Sequence, residues 1–159
     1  MRVDQLATKK NISIVYFNKT PVEGLQSFRN ILFKLNLGLP RPYNVLIPSL
    51  IKALNLGYKE LYVIGADHSW LEELRVNDKN EALLNQKHFY DYQTSKFEPM
   101  YHAKRGGKRV HEILYKLMKA FEGYFYIREY AESLGSQIYN ATPNSYIDAF
   151  ERRSLNQIK

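Results

Sequence analysis

Apolar residues recur three and four positions apart at Leu46, Ile47, Leu50, Ile51 and Leu54, a spacing that predicts a helix with one buried stripe. The stripe stops at Gly57, the residue type best able to take the left-handed conformation just past a helix end. Leu61, Tyr62, Val63 and Ile64 follow as an unbroken apolar run, the pattern of a strand covered on both faces. Gly65-Ala66-Asp67-His68-Ser69-Trp70 then ends it abruptly. Residues 54–70 therefore read as one helix–strand half of a parallel unit. Ligands of open α/β sheets bind beyond the carboxyl ends of the strands, which makes Asp67, His68 and Ser69 the first candidate site residues.

The same reasoning extends to both sides. Residues 12–17 (ISIVYF) predict a first strand, β-branched and aromatic. A helix is expected over 22–35, with Leu25, Phe28, Ile31, Leu32 and Leu35 as its apolar face, and Gly38-Leu39-Pro40-Arg41-Pro42 breaks it. The next helix can start in two ways: Asn44 caps it, leaving Pro48 late in the first turn, or Pro48 is itself the first helical residue. The Asn44 start is preferred, because its side chain would satisfy one backbone N–H and leave the other amide donors facing the strand tips.

Downstream, residues 74–76 and 82–85 flank the turn-forming cluster Asn77-Asp78-Lys79-Asn80 and predict an inserted hairpin. Residues 92–108 hold Pro99, Gly106 and Gly107 without a sustained period and read as a mobile loop. Val110, Ile113, Leu114, Leu117, Met118 and Phe121 repeat at helical spacing. After a break expected at Gly123, the repeat resumes with Ile127, Tyr130, Ala131 and Leu134, and Gly135 ends it. Residues 137–140 predict a strand, followed by Thr142-Pro143-Asn144-Ser145 and a small helix over 146–152. The alternation implies an α/β fold: a three-layer, mostly parallel Rossmann-like sheet of three to four strands with flanking helices and the inserted hairpin. Residues 1–159 form one domain on this reading.

Composition narrows the setting. The 159 residues, 45% hydrophobic, suffice for a core, and the lack of cysteine excludes disulfide and thiolate chemistry. No apolar stretch approaches the roughly 20 residues needed to cross a bilayer, and the N-terminus lacks an apolar signal core, so a cytoplasmic place is expected. The net charge of +7 suits nucleic acid, anionic lipid or a phosphorylated substrate. The sequence carries no aromatic–basic motif of a known nucleic-acid module, so nucleic acid is not an expected partner. The 13 tyrosines discriminate little, since tyrosine serves cores and ligand sites alike.

Several side chains carry candidate chemistry. Asp67, His68 and Ser69 offer a carboxylate, an imidazole and a hydroxyl that could hold a metal, a ribose or a substrate; alternatively, Asp67 caps the turn near Leu71 and His68 packs on Trp70. His111 opens the long helix directly after the basic loop, where it is either a general base or an exposed residue beside Glu112. Lys104-Arg105-Gly106-Gly107-Lys108-Arg109 lacks P-loop spacing; it is either a solvated loop or a cradle for a diphosphate or anionic lipid. His88 and His102 lack the close spacing of a zinc site, and no metal site is proposed. Asn144 and Ser145 follow a strand and face the Asp67 end of the sheet, as turn formers or ligand contacts.

The stretch ALNLGYKELYVIGADHSW resembles the second half of bacterial sialyltransferases that build lipooligosaccharide, and IYNATPNS resembles a strand end of the same enzymes. A closer resemblance covers nearly the whole chain, through VYFNKTPVEG, PRPYNVLIPSL, GADHSWLE, LNQKHFYD and PNSYIDAFER. It is to surface-polysaccharide cluster proteins of the 6-hydroxymethylpterin pyrophosphokinase MptE-like superfamily. That resemblance implies that Asn44 starts a nucleotide-contacting helix, that Asp67 lies at the strand tip beside it, and that His111 corresponds to a catalytic histidine. Members of the superfamily begin with a strand and a G-N-G-P-S-like phosphate-binding turn. Residues 1–16 hold no such turn, so the chain resembles the C-terminal portion of a larger nucleotide-dependent enzyme.

The leading expectation is a glycosyltransferase-like enzyme of cell-surface polysaccharide biosynthesis, with a nucleotide-sugar donor and a glycan acceptor. Asn44, Asp67, His68, Ser69, Asn144 and Ser145 would surround the donor, and Lys104, Arg105 and Lys108 would neutralise its phosphate. His111 would take the acceptor proton. One alternative is a pterin pyrophosphokinase-like phosphotransferase using ATP and magnesium. The other is a non-catalytic basic module that binds a partner chain, a second copy of itself or the inner face of an anionic membrane.

Overall fold

A computed structural model describes residues 14–85, 97–102 and 106–157, with the backbone alone at Tyr101, His102 and Gly106. Glu60–Val63 (β1) and Gln137–Asn140 (β7) run parallel in the register Leu61↔Ile138 and Val63↔Asn140, and Glu151–Arg152 (β8) continues the sheet in the order β1-β7-β8. Leu74–Val76 (β2), Ala82–Leu84 (β3) and Glu98–Pro99 (β4) form a separate antiparallel sheet, and Tyr101–His102 (β5) pairs with Gly106–Gly107 (β6). With the helices Gln26–Lys34 (α1), Leu46–Asn55 (α2) and Val110–Ser133 (α3), the chain is mixed α/β.

The core lies on one face of the parallel sheet. Leu61, Val63 and Ile138 share that face and pack with Phe33 of α1, Ile47, Leu50, Ile51 and Leu54 of α2, and Tyr124, Ile127 and Tyr130 of α3. Tyr62 and Tyr139, paired in the register, project from the other face and stack at 5.2 Å, with the Arg153 guanidinium 3.5 Å over the Tyr139 ring. A smaller core of Ala82, Ile113 and Leu117 ties the hairpin to the start of α3, together with Trp70, Leu74 and Met100.

The α2 stripe is buried as its period predicts, and Gly57 closes the helix at φ 93°. The hairpin also forms: the Asn77 Oδ1 accepts from the amides of Lys79 and Glu81, and Asn80 turns at φ 58°. Strand β7 occupies the expected residues.

Other expectations are corrected. Residues 14–17 form no strand, and Val15, Tyr16 and Phe17 are exposed; propensity alone does not make a strand without a pairing neighbour. Residues 12 and 13 lie outside the described residues. Ile64 is 60% exposed, so the β1 run is not covered on both faces. Helix α1 is shorter than the expected 22–35 and rotated from its expected face: of that face only Leu32 packs on the core, Leu25, Phe28, Ile31 and Leu35 are exposed, and Phe33 and Arg29 are buried. Arg29 can be inside because its guanidinium pairs with Glu129, donates to the Gly24 carbonyl and lies 4.0 Å over the Tyr126 ring. Counting only apolar positions therefore selected the wrong face.

Helix α3 runs unbroken through Gly123. A Cβ at that position would lie 3.3 Å from Pro40 Cβ and 3.5 Å from Ile47 Cδ1, so the glycine admits the chain entering α2 rather than ending a helix. The expected loop over 92–108 contains β4, β5 and β6 in its described part, while residues 92–96 and 103–105 lie outside it. Residues 146–152 are bends followed by β8, not a helix. Ser145, Ile147 and Ala149 are buried while Tyr146 and Asp148 are exposed, a period of two instead of 3.6.

Candidate functional site

Beyond the carboxyl end of β1 the backbone reverses at Gly65 (φ 74°) and again at His68 (φ 56°). A left-handed histidine costs on the order of 1 kcal/mol, so its side-chain contacts must hold it. The ring stacks on Trp70 with centroids 4.1 Å apart, and its Nε2 lies 2.6 Å from the phenolic oxygen of Tyr124. Burial pushes the imidazole down to about 4, against the adjacent Asp67 charge, so His68 is neutral near pH 7. Asp67 behaves oppositely. The Ser69 hydroxyl donates to its Oδ2 at 2.7 Å and nearby backbone amides add to this, holding the carboxyl below its usual range and ionised.

Asn44 arrives from the other side. Val45 already has helical dihedrals, and the Asn44 Oδ1 accepts from the Ile47 amide at 3.2 Å, which makes Asn44 the functional N-cap of α2. Pro48 is then the fourth helical residue, and its missing N–H forgoes one bond to the Asn44 carbonyl. The Asn44 Nδ2 donates to the Tyr124 hydroxyl at 3.0 Å. Cap, phenol and imidazole thus form one hydrogen-bonded chain joining α2, α3 and the β1 tip.

These elements border a cleft of about 1010 Å³. Tyr43, Asn44, Asp67, His68 and Trp70 line it together with the first half of α3 and Lys108 before it. Lys116 belongs to the same lining, its Nζ 5.7 Å from the Tyr43 ring centroid. Burial, with a smaller effect of the Lys108 charge, lowers the Lys116 ammonium below its ordinary value. His111 stands exposed on the first turn of α3 at the rim, where Glu112 accepts the Arg109 amide at 2.8 Å and caps the helix. An anionic ligand would meet two lysines, an imidazole, aromatic rings and an ionised carboxylate in one lining.

Of the residues expected at the site, Asn44, Asp67, His68, Lys108 and His111 line this cleft. Ser69 is one step removed, on Asp67. Ser145 is buried and structural: its hydroxyl donates to the Ala66 carbonyl at 2.6 Å and accepts from the Ile147 amide at 3.2 Å. Asn144 is an exposed turn residue at φ 53°, outside the cleft lining. The two strand tips are nonetheless joined, since the Tyr146 amide donates to the Asp67 carbonyl at 2.7 Å. Lys104, Arg105 and His88 lie outside the described residues, as does the His102 side chain. Among the described residues no group of three His, Cys, Asp or Glu side chains gathers to hold a metal.

Sequence reasoning missed Tyr124 and Lys116. Tyr124 sits in the register Phe121, Tyr124, Ile127, Tyr130 on a buried helix face, and a phenol inside an apolar stripe requires a hydrogen-bond partner. Lys116 had no such signal, because a lysine on a helix face is ordinarily solvated. In comparisons with protein-family models, curated proteins and solved structures, no family model, no curated protein and no solved structure matches this chain.

Proposed function

We propose that the cleft binds a nucleotide sugar and that the protein is a glycosyltransferase-like enzyme of cell-surface polysaccharide biosynthesis. The observation that carries this reading is the convergence of Asn44 and Asp67 with Lys108, His111 and Lys116 around one cleft beyond the carboxyl end of a parallel strand. The start of α2 supports it further, because Asn44, Val45 and Leu46 line the cleft and the N-terminus of a helix favours negative charge. The order β1-β7-β8 with α3 in the crossover favours a Rossmann-like frame. A cytoplasmic place at the inner face of the membrane suits such a substrate, and the +7 charge suits an anionic surface.

In this proposal, the acceptor hydroxyl oxygen bonds to the anomeric carbon as the bond from that carbon to the donor phosphate oxygen breaks. His111 takes the hydroxyl proton. Lys108 and Lys116 stabilise the charge left on the departing phosphate. Asp67, already ionised, orients donor hydroxyl groups and does not titrate near neutrality.

Calorimetry with cytidine and uridine nucleotides on the whole chain tests the reading, with micromolar binding expected. No binding by either would overturn it, and magnesium-dependent binding of ATP with a pterin would move the assignment to a pyrophosphokinase. His111→Asn should abolish sugar transfer while sparing donor binding; full retained activity would remove His111 from its role.

A further inference from the structure

The hydrogen-bonded chain from Asn44 to His68 has a direction. The Asn44 Oδ1 accepts an amide proton from Ile47, which identifies that atom as oxygen and leaves the NH₂ to face Tyr124. The Tyr124 oxygen therefore accepts from Asn44, and its single proton goes to the His68 Nε2 at 2.6 Å. The reverse arrangement would leave a phenolic proton without an acceptor at a residue that is wholly buried. Nε2 must then be the bare nitrogen, and Nδ1 carries the hydrogen.

We infer that Tyr124 is a positioning residue that sets the His68 tautomer, so that His68 presents Nδ1–H to the cleft as a neutral donor to an uncharged oxygen of the bound base or sugar. The recognition half of this inference rests on the nucleotide-sugar reading above; the tautomer half does not. The cleft lining offers both kinds of contact: the rings of His68 and Trp70, 4.1 Å apart, suit a flat neutral group, and the ammonium groups of Lys108 and Lys116 suit phosphate. Burial, which keeps the ring neutral, agrees with a donor that carries no charge.

Nitrogen-15 NMR of histidine-labelled full-length protein reads the tautomer directly, with the His68 signals assigned by their absence in His68→Gln. At neutral pH the expected spectrum is an Nδ1–H ring in about tenfold excess over the other tautomer. An Nε2–H ring would overturn the inference. Asn44→Asp supplies the sharper test. The introduced carboxylate still accepts the Ile47 amide but cannot donate to Tyr124, so the phenol turns its proton to it and accepts from His68. The tautomer ratio should invert, and an unchanged ratio would overturn the role of Tyr124. If that variant fails to fold, Tyr124→Phe serves instead: loss of the hydroxyl should abolish the excess, and a retained excess refutes the inference. Adding uridine or cytidine as the free nucleoside should move the Nδ1 signal, and inorganic pyrophosphate should not. A nucleoside that binds without moving it ends the recognition half, whereas absence of all nucleotide binding would count against the proposed function and leave the tautomer measurement standing.

Discussion

The Nδ2 of Asn44 donates to the hydroxyl of Tyr124 across eighty positions of sequence, joining the cap of α2 to the middle of α3. Removing that hydroxyl with Tyr124→Phe leaves both the Asn44 amide and the His68 ring without a partner in a partly buried setting. Urea denaturation should show a loss of about 1–3 kcal/mol. A midpoint equal to that of the parent protein would mean the chain of bonds contributes nothing to stability.

The rotated face of α1 separates two phenylalanines five positions apart. Phe33 is fully buried, and Phe33→Ala should cost about 3–5 kcal/mol. Phe28 is 56% exposed, and Phe28→Ala should change stability by only about 0.5 kcal/mol. If thermal melts show the reverse order, α1 packs through the face that its apolar spacing first suggests.

At Gly123, α3 passes close to Pro40 in the loop entering α2. Gly123→Ala sets a gain in helix propensity of about 1 kcal/mol against crowding at Pro40 and should change little. Gly123→Val has no room for its branches against Pro40 and Ile47, and a loss of about 1–3 kcal/mol is expected. Chemical denaturation of the pair checks the difference; equal stabilities would refute the close contact.

The neutral His68 ring makes stability depend on pH. Unfolded, the imidazole takes a proton near its ordinary value of 6.5; folded, it resists until about 4. Between these values the unfolded state binds more protons, so stability falls as pH drops from about 6.5 towards about 4 and is fully present above that window. The loss should be on the order of 1 kcal/mol, because water reaches part of the ring. Comparing urea midpoints at about pH 5 and about pH 7 checks this, with the drop absent in His68→Gln. The depressed carboxyl of Asp67 acts lower, losing its contribution only as pH falls below about 3.8.

Features governed by one local pattern were legible in the sequence: the α2 stripe with Gly57, the Asn77–Asn80 turn, and the polar tip after β1 that proved to border the cleft. Features that depend on a distant partner were not. Arg29 is inside because Glu129 and Tyr126 of α3 and the Gly24 carbonyl meet it, and Gly123 reads as a helix breaker until Pro40 is placed beside it. Ser145 looks like a ligand group from its position after a strand, yet its hydroxyl is consumed by the Ala66 carbonyl. The period of two at Ser145, Ile147 and Ala149 was available, but two buried apolar residues among small and polar ones make a weak signal.

One rod, the 24-residue α3, carries a wall of the cleft at its beginning and the main core at its middle and end. Phe121 touches both hydrophobic clusters, so the angular phase between them is fixed by the few residues from Leu117 to Tyr124. A single residue inserted there would turn one end about 100° against the other. The orientation of the hairpin cluster against the main core is therefore gauged by helix count rather than by any loop, which makes that short interval intolerant of length change even where its individual side chains are replaceable.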